Sequence, residues 1–264
     1  MTTEPHVLYK SEKGVATITL NRPDVHNAFN EIVIGDLTET FKKAGGDKDV
    51  RAVVLRGNGK SFSAGGDLHW MRRVADYSFD QNVTDAMRLG TLLKTINTLP
   101  KPVIALVQGN AFGGGVGLSA ACDIVLAEEG AQFCLSEVRI GIIPSIILPY
   151  VITAIGERNA RRYCLTAEKF GAAEAKRLGL AHEVVAAGGL DGALEKIIAA
   201  LWEGAPSAQS RGKKLILDIA RRGIDDEVIK LTAERIAEAR ASDEGKEGLS
   251  AFLNKTEPGW RKKA

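Results

Sequence analysis

Short apolar runs alternate with longer stretches of helical spacing through roughly the first two thirds of the chain. Val7-Leu8-Tyr9-Lys10 and Val15-Ala16-Thr17-Ile18-Thr19-Leu20 read as strands joined by the turn Glu12-Lys13-Gly14. Asn21-Arg22-Pro23-Asp24 ends the second strand, and Asn30 is placed to N-cap an amphipathic helix running to about Ala44. Strands at 52–56 and 103–107 follow, with helices near 67–75 and 80–98 between them, then short strands at 124–127 and 132–134. From Leu148 helical spacing dominates, over 149–155, 157–164, 171–178, 189–203, 207–221 and 226–241. Strand-like pieces remain only near 165–168 and 183–185. The alternation predicts an α/β core of parallel type over residues 1–200 and a helical region over 201–264.

Against that frame one junction is chemically unusual. The apolar strand Val103-Ile104-Ala105-Leu106-Val107 runs into Gly113-Gly114-Gly115-Val116-Gly117, which opens a small-residue helix. Consecutive glycines remove every Cβ, so a ligand can touch the backbone, and a helix start turns unpaired N–H groups toward it. A second small-residue turn, Ser63-Ala64-Gly65-Gly66-Asp67, follows the strand at 52–56. An exposed N–H from each turn, brought together, makes an oxyanion hole. Glu137, between the apolar stretches 133–135 and 138–140, reads either as a solvated turn residue ion-paired to Arg139 or as a partly buried general acid/base.

Other chemistries are disfavoured. Gly57-Asn58-Gly59-Lys60-Ser61 resembles the end of a phosphate-binding loop, but the first glycine of that motif would have to be Val54. The histidines His6, His26, His69 and His182 have no metal-ligand spacing, and no metal site is expected. His182 reads as structural, while His26 and His69 lie near the two candidate ligand loops. Cys122, Cys134 and Cys164 sit among apolar residues and read as buried free thiols. A formal charge of +2 over 264 residues argues against nucleic acid or a membrane surface as partner. No apolar run reaches the length of a membrane span, and the first residues lack the pattern of a signal peptide, so a cytoplasmic location is expected.

Five segments, in order and spacing, resemble the enoyl-CoA hydratase/isomerase (crotonase) superfamily over about residues 7–260. They are Asn21-Arg22-Pro23 with Asn27-Ala28, residues 61–68, residues 109–115, Cys122-Asp123, and Ser136-Glu137-Val138-Arg139-Ile140-Gly141. The resemblance implies a spiral of ββα turns with a C-terminal helical region that drives homo-trimers, often paired into dimers of trimers. It implies an acyl-CoA thioester as substrate, with CoA as part of the substrate and no separate cofactor. Carried over by residue, Gly66 and Gly114 supply the oxyanion-hole amides and Glu137 the acid/base. Asp24, Val25 and His26 on one loop, and Ala64, Asp67 and Leu68 on the other, would line CoA, with Lys255 and Arg261-Lys262-Lys263 near its phosphates.

Two departures from the family pattern bear on the reaction. Gly117 stands where the best-known hydratases carry a second glutamate, and Pro144-Ser145-Ile146-Ile147-Leu148-Pro149-Tyr150 replaces a glycine-rich segment with bulky apolar residues. With these, Ala160-Arg161-Arg162-Tyr163 and Leu165-Thr166-Ala167-Glu168 are similar to the bacterial methylglutaconyl-CoA and isohexenylglutaconyl-CoA hydratases. The implied reaction is hydration of a branched 2-enoyl-CoA in leucine breakdown, 3-methylglutaconyl-CoA first. Arg139, His69 and Trp70 are the nearby candidates to meet a distal carboxylate. Double-bond isomerisation, decarboxylation of a glutaconyl-type acid, and an inactive scaffold are the competing readings.

Overall fold

The computed structural model describes residues 4–261. Strands β1 (Val7–Glu12) and β2 (Val15–Leu20) form an antiparallel hairpin. Lys13 and Gly14 turn it with φ of 49° and 78°, the two left-handed residues such a tight turn requires. Parallel strands β3 (Ala52–Gly57) and β4 (Val103–Val107) pair next. Every residue of β4 is buried, as its unbroken apolar run demands of a strand covered on both faces.

A short β5 (Asn110–Phe112) follows β4, a feature absent from the apolar pattern because three residues show no period. It pairs with β7 (Gln132–Cys134), which in turn pairs with β8 (Phe170–Gly171). The strands β6 (Ile124–Glu128) and β9 (Glu183–Val185) complete the main sheet, whose order is β1-β2-β3-β4-β6-β9.

The two sheets record one repeated turn of chain. Each turn supplies a strand to the main sheet, a short extended piece beside it, and then a helix. After β2 the extended piece is at Phe29 and the helix is α1 (Glu31–Gly46); after β3 it is at 63–66, followed by α2 (Leu68–Val74) and α3 (Phe79–Asn97). After β4 come β5 and α4 (Gly114–Ala121); after β6 come β7, a 3-10 turn at Glu137–Ile140 and α5 (Leu148–Thr166). The short pieces stack in parallel, Phe29 on Gly66, Ser63 on Ala111, and β5 on β7. Residues tens of positions apart thereby become neighbours along one edge.

Local signals explain the helices. Asn30 accepts from the Val33 N–H at 3.1 Å, and α1 buries Val33, Ile34, Leu37, Phe41 and Ala44 on one face. Ser78 and Gln81 form a capping box on α3. The predicted helices at 149–155 and 157–164 are one element, α5, interrupted by Gly156 at φ 74°. The strand expected near 165–168 is not present: α5 runs through Thr166, and β8 begins at Phe170. Thr166 is held in the helix by its hydroxyl bond to the Arg162 carbonyl at 2.9 Å, a partner its β-branched side chain does not advertise. α6 (Ala172–Leu178) ends at Gly179 with φ 94°.

The chain divides into two compact units, residues up to Leu99 with Val103–Leu194, and Pro100–Pro102 with Glu195 onward. The second contains most of α7 (Leu190–Glu203), then α8 (Pro206–Ile219), α9 (Asp226–Ala241) and α10 (Asp243–Asn254). A boundary after residue 200 therefore falls inside α7, and α10 extends the helical tail beyond the last predicted segment. No described helix is long and apolar enough to cross a membrane.

Candidate active site

The first residue to order the site is Asn27, 1% exposed. Its side chain accepts from the Arg22 N–H at 2.9 Å and donates to the carbonyls of Asn58 and Ser61, each at 2.8 Å. Two successive loops, those after β2 and β3, are pinned by one amide. Arg22 extends the pin, with Nη1 on the Ala28 carbonyl and Nη2 2.9 Å from Asp67 Oδ2. Asn27→Ala should cost about 2–4 kcal/mol, because it strands buried partners, and should raise KM for any CoA ester that uses these loops. Thermal melting and steady-state kinetics check both.

On this frame the two glycine turns meet. Ser63 donates its N–H to Asn110 O (3.0 Å) and accepts from Phe112 N–H (2.9 Å). A Cβ at Gly115 would lie 2.5 Å from Ser63 O, and one at Gly65 would lie 2.7 Å from Phe112 O and 3.4 Å from Gly114 N. Gly65 has φ 88° and Gly113 has φ 51° with ψ −119°, conformations that glycine alone enters without strain.

Stacking decides which amides stay free. Phe29 gives its N–H to Gly65 O and accepts from Asp67 N–H, so the intervening Gly66 N–H faces away from that bridge. Gly113 N–H is taken by Cys134 O at 2.8 Å, whereas Gly114 is the first residue of α4. Neither the Gly66 nor the Gly114 N–H meets an acceptor among the described residues. Phe29 backs Gly114: a Cβ there would overlap Phe29 Cζ and stand 3.1 Å from Cε2. Trp70 and Met71 cover Gly66, at 3.4 Å (Cζ3) and 2.8 Å (Cε) from its Cβ position.

Glu137 completes the cluster. Its Oε1 lies 3.0 Å from where a Gly113 Cβ would be, and its Oε2 is buried with no hydrogen-bond partner among the described residues. The alternative reading of an ion pair with Arg139 is not met among the described residues: Arg139 is exposed and donates to Ala167 O at 2.6 Å. Burial pushes the Glu137 carboxyl above the ordinary carboxylate range, opposed only by its own backbone N–H. An acid so placed, beside two free amides, is positioned for general acid/base work.

Gly117 is closed rather than open. A Cβ there would overlap the Cγ2 methyl of Ile147 and lie 2.7 Å from its Cβ. The two departures noted in the sequence are thus one packing arrangement.

The predicted CoA-lining residues separate into two kinds. Asp24, Val25 and His26 are exposed on a 3-10 turn, His26 at φ 53° with Nδ1 3.1 Å from Ser61 Oγ, and Leu68 is 72% exposed. Ala64 gives its N–H to His26 O at 2.9 Å, joining the two loops. Asp67 does not fit the expected contact, because its polar atoms are spent inside the protein. It is 5% exposed, N-caps α2 through the His69 and Trp70 N–H groups, and pairs with Arg22. Burial raises its pKa, and the Arg22 and backbone hydrogen bonds more than reverse that, leaving it lowered. Its task is to hold the Gly66 turn.

Of the residues proposed near a distal carboxylate, His69 is exposed and Trp70 donates its indole N–H to Asp85 at 3.4 Å. Lys255 caps α10 and Arg261 pairs with Glu203 at 2.8 Å, while Lys262 and Lys263 lie outside the described residues. Sequence reasoning missed Phe29, and it named Ile147 only within the segment 144–150, without its contact with Gly117. Each is one apolar residue beside a motif, and nothing in its type distinguishes it from ordinary core.

Comparisons with known proteins bear on the family of this chain. The family model Enoyl-CoA hydratase/isomerase matches residues 10–263. An enoyl-CoA hydratase from Shewanella pealeana is similar in structure, with TM-score 0.94, 42% identity and coverage of 97% of this chain and 96% of that one. AtuE of Pseudomonas aeruginosa gives TM-score 0.93 at 37% identity, covering 97% and 100%. The short-chain-enoyl-CoA hydratase of Clostridium acetobutylicum is 30% identical over 259 residues, 95% of the relative's length. With a crotonase fold, two unclaimed glycine amides and a buried acid beside them, the chain belongs to the enoyl-CoA hydratase/isomerase family.

Proposed function

We propose that this protein catalyses the reversible hydration of a branched 2-enoyl-CoA, 3-methylglutaconyl-CoA first, to the 3-hydroxyacyl-CoA. The observation that carries the reading is the buried, unpartnered Glu137 Oε2 beside the free N–H groups of Gly66 and Gly114. Those two amides would bind the thioester oxygen and strengthen their hold as it becomes an enolate. Ionised Glu137 would take a proton from water as its oxygen bonds to Cβ, then deliver that proton to Cα as the enolate collapses. One carboxylate on one face places both additions on that face. The apolar residues 146–148 and the motifs around Glu137 and Tyr163 support a branched acyl group.

A panel of enoyl-CoAs followed by product mass tests this directly. In D2O, 3-methylglutaconyl-CoA should gain one deuterium at Cα, syn to the new hydroxyl. No water uptake by any branched substrate would sink the reading. Isomerisation is the second reading, favoured by the blocked Gly117: moving a double bond needs only one carboxylate. A shifted alkene with unchanged mass identifies it, and release of CO2 identifies decarboxylation.

Assembly as a homo-trimer or dimer of trimers belongs to the same proposal. Exposed Leu249, Phe252 and Leu253 on α10 support it, since such residues normally seek a partner surface. Three cysteines without a disulfide are consistent with a cytoplasmic setting.

A further inference from the structure

Asp85 is an acid where α3 should be apolar. Leu89, Leu92 and Ile96 follow it at helical spacing on the face that packs against the core, and Asp85 is itself only 9% exposed. Burial raises its pKa, offset in part by the Trp70 hydrogen bond and by Arg88, whose Nη1 is 4.0 Å from Oδ1. The same Oδ1 accepts the Trp70 indole N–H at 3.4 Å. Trp70 belongs to α2, a helix with no fully buried residue. Polar clips hold α2 instead: the Asp67 cap at its start, and Arg73 near its end on both Glu31 oxygens at 2.6 and 2.8 Å. Between these clips the Trp70 ring lies on Gly66, with Cζ3 and Cε3 3.4 and 3.6 Å from that glycine's Cβ position. Asp85 also lines a cavity of about 360 Å³ with Tyr77, Asp80, Gln81, Thr84 and Arg88. Trp70 is not in that lining, so Asp85 stands between the ring and the cavity.

We propose that Asp85 is a positioning residue of this site: as acceptor for the indole N–H, it keeps the Trp70 ring on Gly66 and out of the adjoining cavity. The ring then sets how an acyl-CoA approaches the Gly66 amide. An oxyanion donor is effective only when it is held in place before the reaction, so the wall beside Gly66 must not drift. This inference rests on the reading of the Gly66 N–H as an oxyanion donor.

Variants of the full chain test it. Asp85→Leu removes the acceptor, and Trp70→Phe removes the donor while keeping a ring. Each should weaken binding of acetoacetyl-CoA, whose enolate the two amides would hold, by about tenfold, with a smaller change for free CoA. Both losses report one hydrogen bond, so the double variant should be no weaker than either single one. Asp85→Asn keeps an acceptor oxygen and should restore the affinity. In fluorine NMR of fluorotryptophan-labelled protein, the Trp70 line is assigned by its loss in Trp70→Phe. Asp85→Leu should move that line toward the solvent-exposed position and leave those of Trp202 and Trp260 in place. Additive losses, an equal loss for free CoA, an Asp85→Asn protein as impaired as Asp85→Leu, or an unmoved Trp70 line would overturn the inference. A parent that binds acetoacetyl-CoA no more tightly than CoA would defeat the Gly66 reading instead, and the Trp70 line would still judge whether Asp85 holds the ring.

Discussion

Glu137→Gln should lower turnover by more than about 10²-fold while leaving the affinity for a saturated acyl-CoA nearly unchanged. The amide keeps the size and polarity of the side chain and loses only its capacity to exchange a proton. The acid limb of kcat/KM in the parent should lie above the ordinary glutamate value of about 4.3, since burial raises this carboxyl, and the variant should lack that limb. Stability should move the other way. A carboxyl whose folded pKa exceeds its unfolded one costs nothing below the unfolded value, and its cost grows as pH rises toward the folded value. Glu137→Gln should therefore melt higher than the parent at pH 8, and the gain should disappear near pH 4. Equal turnover in the variant would remove Glu137 from the chemistry. An unchanged melting point at pH 8 would mean that the charge is better solvated than its unpartnered Oε2 implies.

Gly114→Ala should cost about 10²–10³-fold in kcat, the usual effect of losing one oxyanion donor. The new methyl would overlap the Phe29 ring, whose Cε1 and Cε2 stand 3.2 and 3.1 Å from its position. Phe29 is 1% exposed and held in the core, so the first turn of α4 must move instead, and the 114 N–H moves with it. Overpacking should also cost about 1–3 kcal/mol. Phe29→Leu in the Gly114→Ala background should recover part of the melting temperature and part of kcat. A Gly114→Ala enzyme with parental kcat would show that this amide does not hold the reacting oxygen.

Much of the fold was legible because it follows from short-range rules. The apolar runs at 52–56 and 103–107 are long enough to be buried strands, and Asn30 announces α1 through its side-chain oxygen. The glycine cluster marked the site, since no ordinary core needs three consecutive residues without Cβ. Less legible were β5 and β8, which are too short to carry a period. A salt bridge between Glu137 and Arg139 was one of two readings that spacing left open, and in the structure Arg139 donates to Ala167 O instead.

Residue order alone determined the longer elements and the family, because these depend on local patterning and on motifs that keep their own spacing. Only the tertiary structure decided which amides were free, that Asp67 is spent on Arg22 and α2, and that Ile147 fills the notch at Gly117. The physical reason is that hydrogen-bond partnership and occupied volume are set where successive turns of the spiral stack. Those neighbours are separated by tens of residues along the chain.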